Sequence, residues 1–181
     1  LMLSLVASAR REGVRLMYAD VSRAYFYAKA VRPVYVKLPE EDIETGDEGR
    51  CGKLMMSMYG TRDAALNWAL EYGDTLKAAG YVQGRSNPCL FYNKSKKISV
   101  MVHGDDFVVV ARHEGREHIK KAVGDAYEIK VDIAGSEPDD PKATKIIGRI
   151  TSYTSEGLLC EPDPDHRERV IKDLGFERCN G

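Results

Sequence analysis

The sequence predicts an α+β fold in which a mainly antiparallel sheet packs on helices. Three observations lead there. Helical and extended patterns follow one another as helix, strand, helix, strands, helix, strands, so helices do not alternate with every strand. The extended stretches LFYN (90–93), ISVMVH (98–103) and FVVVAR (107–112) are joined by NKSKK and HGDD, turns too short for a parallel crossover. The stretch TRDAALNWALEYGDTLKAAGY places Ala65, Trp68, Ala69, Tyr72 and Leu76 on one helical face, a stripe suited to packing on that sheet.

Residues 1–11 carry a helical pattern with apolar residues on several faces, and RLMYAD (15–20) reads as a short strand ending in a carboxylate. SRAYFYAKA (22–30) reads as one or two helical turns or an irregular segment. VRPVYVKLP (31–39) is extended, and Pro33 assigns it to an edge. Residues 40–50 form a charged loop, and GKLMMSM (52–58) is a second strand. The helix after it starts with Thr61 as cap and Asp63 in its positive first turn, and stops at Gly80. Gly104 in HGDD is free to take positive φ. EGREHIKKAVGDAY (114–127) is a helix. EIKVDI, TKIIGRI, TSYT and GLLC are further strands. DPDHRERVIKDLG (163–175) is a last helix, with Asp163 at the cap, Pro164 at the first position and Gly175 at the stop.

The chain has 181 residues, 43% hydrophobic and 30% charged, which fits one folded domain or one domain with an appendage. No apolar run reaches the ~20 residues of a membrane span. The basic residues of LMLSLVASARREG follow its apolar stretch rather than precede it, the wrong order for a secretory signal. An intracellular protein is expected, and a start without Met suggests a piece of a longer chain. Cys51, Cys89, Cys160 and Cys179 form no CxxC pair, so reduced thiols are expected rather than a zinc site. The net charge of −1 argues against a strongly basic nucleic-acid binder, although most of the first half is basic outside the acidic stretch LPEEDIETGDEGR (38–50).

The chemistry concentrates in MVHGDDFVVV (101–110), where Asp105 and Asp106 lie between apolar runs. Desolvating two adjacent like charges costs several kcal/mol each in round terms. Asp20 ends another strand. If that strand lies beside the hairpin, three carboxylates converge and require cations. Hard oxygen ligands favour Mg²⁺ or Mn²⁺ and leave room for phosphate oxygens. Two such ions would suit phosphoryl transfer. A polar turn and a helix-capping Asp account for the same residues without any ion.

Four stretches in order resemble the reverse transcriptase of copia-type long-terminal-repeat retrotransposons: YADVSRAYFYA (18–28), SMYGTRDAALNW (57–68), VHGDDFVVVA (102–111), and IIGRI (146–150) followed by DPDHRERVIKDLGF (163–176). The resemblance implies a right-hand polymerase palm with a ferredoxin-like core. Residues 1–160 would be palm with partial fingers and 161–181 the start of the connection to the thumb, with further fingers upstream and RNase H downstream outside this chain. It implies Asp20, Asp105 and Asp106 as catalytic and metal-binding carboxylates, with a carbonyl from Val21 near two Mg²⁺ or Mn²⁺ ions. Tyr25 would lie under the incoming sugar and exclude a 2′-hydroxyl. His103 and Gly104 would lie at the primer end, and Arg62 and Asp63 near nucleotide or template. The implied partners are an RNA template, a DNA primer, deoxynucleoside triphosphates and the rest of the Pol polyprotein, integrase and RNase H included, with no membrane. The implied location is cytoplasmic particles or the nucleus.

Departures from the family pattern are Gly104 for Val, which loosens the hairpin, Asp63 for Gln, which adds negative charge beside a triphosphate, and Ala65 for Pro. The leading reading is an RNA-directed DNA polymerase domain, a fragment not active alone. The alternative is an inactive element remnant acting at most as a nucleic-acid-binding module. A metal-dependent phosphotransferase of another lineage leaves the YGTRDAALNW stretch unexplained.

Overall fold

The computed structural model describes residues 13–47, 49–162 and 164–176. The expected helix over 1–11, Asp163 and Cys179 lie outside the described residues; Cys51, Cys89 and Cys160 are free thiols. Every strand pairing is antiparallel among the described residues. A six-stranded sheet has the order β4 (Val82–Gln83), β5 (Leu90–Asn93), β6 (Ile98–His103), β7 (Asp106–Ala111), β1 (Arg15–Val21), β8 (Ile129–Ala134). Helices α1 (Ala64–Ala78) and α2 (His113–Gly124) cover one of its faces. A three-stranded sheet, β11 (Leu158–Pro162), β10 (Arg149–Tyr153) and β9 (Ala143–Ile146), packs on the other, and α3 (Pro164–Asp173) follows it.

Side-chain alternation explains both layers. In β1, Met17, Ala19 and Val21 join the helix-side core, and Leu16 joins the second core with Ile146 and Tyr153. In β7, Phe107, Val109 and Ala111 face the helices while Val108 and Val110 face β9–β11. A strand buried on both faces needs an unbroken apolar run, which is why FVVVA shows no polar alternation. The helix-side core centres on Trp68, whose ring meets Tyr72, Phe107 and Tyr127 edge-on. Gly115 lets α2 approach the sheet: a Cβ there would come within 2.9 Å of Ala111 and Ile98 side-chain atoms.

Several boundaries differ from the sequence reading. Thr61 does not cap α1; its hydroxyl donates to the Met58 carbonyl at 2.7 Å, and Asp63 holds the cap position without a side-chain cap bond. The stop is as expected. Gly80 has φ +86°, Gly80 N donates to Lys77 O, and Tyr81 N donates to Leu76 O, the paired bonds of a Schellman ending. The same pair of bonds at Gly175 and Phe176 ends α3.

The 52–58 strand reduces to β3 (Cys51–Lys53), which pairs with β2 (Tyr35–Lys37). Beyond it the backbone pairs irregularly, through Ala30 N to Met55 O and Ser57 N to Ala28 O. TKIIGRI is two strands: Ile147 (φ +49°) and Gly148 (φ +65°) form a two-residue turn between β9 and β10. A β-branched residue at positive φ is a rare choice, so the sequence carries no turn signal there. The helix expected over 114–127 ends at Gly124, and Tyr127 turns inward to bond the Thr75 hydroxyl at 2.7 Å.

Candidate metal centre

The site is built where β1 ends beside the β6–β7 hairpin. β1 pairs with β7 so that Asp20 lies directly opposite Asp106, on the sheet face away from the helices. His103 and Asp106 close the hairpin, leaving Gly104 and Asp105 as a two-residue loop. Gly104 has φ +63° and Asp105 does not have positive φ. Positive φ at the first loop position alone is the type II′ pattern, which glycine favours. The glycine therefore suits the turn it occupies.

Two bonds fix this loop. Val21 N donates to Asp105 O at 3.0 Å, and Trp68 Nε1 donates to Gly104 O at 2.7 Å. As a result Asp20, Asp105 and Asp106, all half-buried, each present a carboxylate oxygen within 4.8 Å of the others. At that spacing and an effective dielectric near 20, two like charges repel by roughly 3 kcal/mol.

The electrostatics register the crowding. Asp106 is pushed above the ordinary carboxylate range, first by burial and then by Asp105 and Asp20; a hydrogen bond from the Tyr18 hydroxyl pulls the other way without prevailing. Tyr18 is itself raised by burial and by its bond to Asp106. Tyr59 is raised by burial and by Asp105. An oxygen-rich, negatively charged cluster with partly desolvated members fits a hard divalent cation.

The sign of the pH effect follows. A carboxylate raised in the folded state binds protons more readily there than in the unfolded chain, where its pKa is about 3.9. Without divalent ions, stability contributed by this cluster is greatest below that value and falls as pH climbs past the raised pKa. Thermal melts in chelator should show this loss, Asp106→Asn should remove it, and Mn²⁺ should offset it. A pH profile identical for wild type and Asp106→Asn would argue against the strain.

The remaining expected residues gather unevenly. The Val21 side chain is fully buried in the helix-side core. Tyr25 lies in a 3₁₀ turn, Ala24–Tyr27, and its ring stacks on Tyr59 at 4.4 Å. Exposed Phe26 meets Tyr59 edge-on. His103 is exposed beside Asp106. Arg62 is exposed just before α1. Asp63 pairs with Arg32 at 3.1 Å, and its pKa is lowered, with that guanidinium contributing. Its added negative charge is thus met by a cation.

Two residues were missed in the sequence. Tyr18 stands two places before Asp20, on the same strand face, a period-two relation visible in RLMYAD. Tyr59 carries no local signal linking it to Tyr25. Tyr18→Phe should weaken Mn²⁺ binding by about 10–100-fold, the usual loss when a ligand's orienting partner goes, with little change in melting temperature. Unchanged affinity would reduce Tyr18 to packing.

Residues 1–136 match the family described as reverse transcriptase (RNA-dependent DNA polymerase). The chain belongs to that family. This reverse transcriptase chain is also 28% identical over 126 residues to the retrovirus-related Pol polyprotein from transposon TNT 1-94 of Nicotiana tabacum. The match covers 68% of this chain and 9% of the polyprotein. The resemblance to a retrotransposon reverse transcriptase, drawn from four short stretches, is therefore borne out over most of the chain.

Proposed function

We propose that this reverse transcriptase chain is the palm of an RNA-directed DNA polymerase that works within a longer Pol polyprotein. The observation that carries the reading is the convergence of Asp20, Asp105 and Asp106 from two neighbouring strands. The antiparallel sheet backed by two helices is consistent with a right-hand palm and its ferredoxin-like core. Under the same reading, residues 1–160 are palm with partial fingers and 161–181 lead toward the thumb. The work is placed in cytoplasmic particles or the nucleus.

In this proposal Asp20, Asp105, Asp106 and the Val21 carbonyl hold two Mg²⁺ or Mn²⁺ ions. Such ions would lower the pKa of a primer hydroxyl and neutralise charge on a leaving pyrophosphate. The chain's own residues position the reactants. Tyr18 holds one Asp106 oxygen and leaves the other free. Tyr25, braced by Tyr59, offers a flat ring to the sugar of a deoxynucleotide and no space for a 2′-hydroxyl. His103 and Gly104 lie at the hairpin tip for the primer end, and Arg62 faces solvent where template or phosphate would pass. The Arg32 partner keeps Asp63 from repelling a triphosphate.

The test is primer extension on an RNA template by the longer Pol protein with Mn²⁺ or Mg²⁺. Deoxynucleotide incorporation is expected, and Tyr25→Ala should raise the share of ribonucleotide incorporated. A protein that binds template and primer but adds no nucleotide would favour the nucleic-acid-binding remnant. An unchanged ribonucleotide share would return Tyr25 to a packing role.

A further inference from the structure

A second polar centre lies at the opposite end of β1. Arg15 starts that strand and Asp20 is five residues on, so the two centres are about 17 Å apart along it. Arg116 of α2 reaches into this end of the fold and is 2% exposed. One of its nitrogens, Nη1, donates to Ala111 O at 3.1 Å, while its Nε, also buried, has no partner. A buried guanidinium ordinarily has its charge matched and its donors used.

The carboxylate bonded at this end of the fold is held by another arginine. Arg15 Nε donates to Asp140 Oδ2 at 2.6 Å, and Glu137 N donates to the same oxygen at 3.1 Å. Arg116 feels this carboxylate, the neighbouring Glu117 and the Arg15 cation; burial first and then Arg15 push its pKa below the ordinary arginine value. Asp140 thus lies between two guanidiniums and is already committed to Arg15 and the backbone. A cavity of about 610 Å³ opens onto this group, lined by Arg15, Arg116, Asp132, Asp140, Thr144 and Lys145 among others.

The hydroxyls add to the deficit. Thr144 and Thr151 are cross-strand partners in β9 and β10, both buried, and neither Oγ1 has a partner. The Tyr153 hydroxyl, two residues along β10, is likewise buried; it faces the Leu16 backbone and lies within electrostatic reach of Arg116 and Asp140. Among the described residues, the two threonine hydroxyls and Arg116 Nε are buried side-chain polar atoms without a bond. Leaving a buried donor or acceptor unmade costs about 1–3 kcal/mol, and two such atoms, Arg116 Nε and Thr144 Oγ1, belong to side chains that line the same cavity.

We propose that this cavity is an oxyanion site that takes a phosphate group, bound by Arg116 and Thr144 and steered in by Arg15. A phosphate oxygen accepts several hydrogen bonds at once, matches the planar fork of arginine, and brings negative charge to a lining where Arg15, Arg116 and Lys145 face Asp132 and Asp140. The site shares no residue with the three carboxylates, and its existence does not depend on polymerase activity. The phosphate could be a free ion or a nucleic-acid backbone diester; both present the same oxygens.

The test follows the Arg116 Nε–H resonance in ¹H–¹⁵N spectra of the 181-residue chain, in chelator so that the carboxylate site holds no cation. The resonance is assigned by its loss in Arg116→Gln. Inorganic phosphate is titrated in one arm and an unphosphorylated single-stranded oligonucleotide in the other. A saturating shift is expected in at least one arm, and Thr144→Val should weaken it by roughly tenfold. A response to phosphate alone identifies a free-ion site, and a response to the oligonucleotide identifies a backbone contact. Thr144→Val removes an unbonded buried hydroxyl, and the affinity of wild type and Thr144→Val for either probe, read by calorimetry, needs no assignment and decides the matter even if Arg116→Gln fails to fold. A resonance that neither probe moves would mean that water alone fills the cavity and would overturn the assignment. An affinity indifferent to Thr144→Val would overturn it as well.

Discussion

Replacing Trp68 by Ala should cost about 3–5 kcal/mol, the range for deleting a large buried aromatic. That is a large share of the total of about 5–15 kcal/mol that a domain has. The ring is 1% exposed and meets three other aromatic rings. Urea unfolding would measure the loss. Trp68→Phe separates the two roles of the side chain. It keeps most of the apolar contact but removes the bond from Nε1 to Gly104 O, a loss of about 1 kcal/mol. The hairpin tip would then loosen, so Mn²⁺ affinity should fall by more than the stability does. If Trp68→Phe left Mn²⁺ affinity untouched, the indole bond would have no part in placing Asp105.

Replacing Asp20 or Asp105 by Asn should lower primer extension in the longer Pol protein by about a hundred- to a thousandfold. That is the scale of loss when one preorganised charge-stabilising group is removed. Each Asn keeps the size and some of the hydrogen bonding of the original side chain but removes the charge. Because the three oxygens repel one another, each substitution should also raise the melting point in chelator. Activity and stability moving in opposite directions is the signature of a strained functional cluster. Asp125→Asn, on the surface beside Lys121, serves as the control and should change neither. An Asp20→Asn protein that extends primers at the normal rate would exclude this residue from the chemistry.

What the sequence revealed was local. The tight HGDD turn with positive φ at Gly104, the helix stops at Gly80 and Gly175, and the apolar strand after the turn rest on short-range rules of glycine conformation and strand composition, although the strand starts at Asp106, one residue earlier than read. The carboxylate cluster needed one assumption, that the strand ending at Asp20 lies beside the hairpin. The β1–β7 register meets that condition.

What stayed hidden was long-range. The Trp68 stripe reads as packing, but nothing local reveals a bond to a carbonyl 36 residues away. Asp63 looked like a liability because its cation, Arg32, is 31 residues earlier. The turn at Ile147 was invisible because its leading residue is one that turns avoid. The Arg116 centre was missed because an arginine in EGREHIKKAVG looks like any solvated helix position.

The most direct measurement of the central claim is calorimetric titration of Mn²⁺ into the wild-type chain and into Asp20→Asn. If side chains from β1 and the β6–β7 hairpin share a cation, the wild type should show saturable binding, and the substitution on β1 should weaken it by about tenfold or more although the hairpin pair is intact. Equal binding by the two proteins, or none by the wild type, would contradict the shared site.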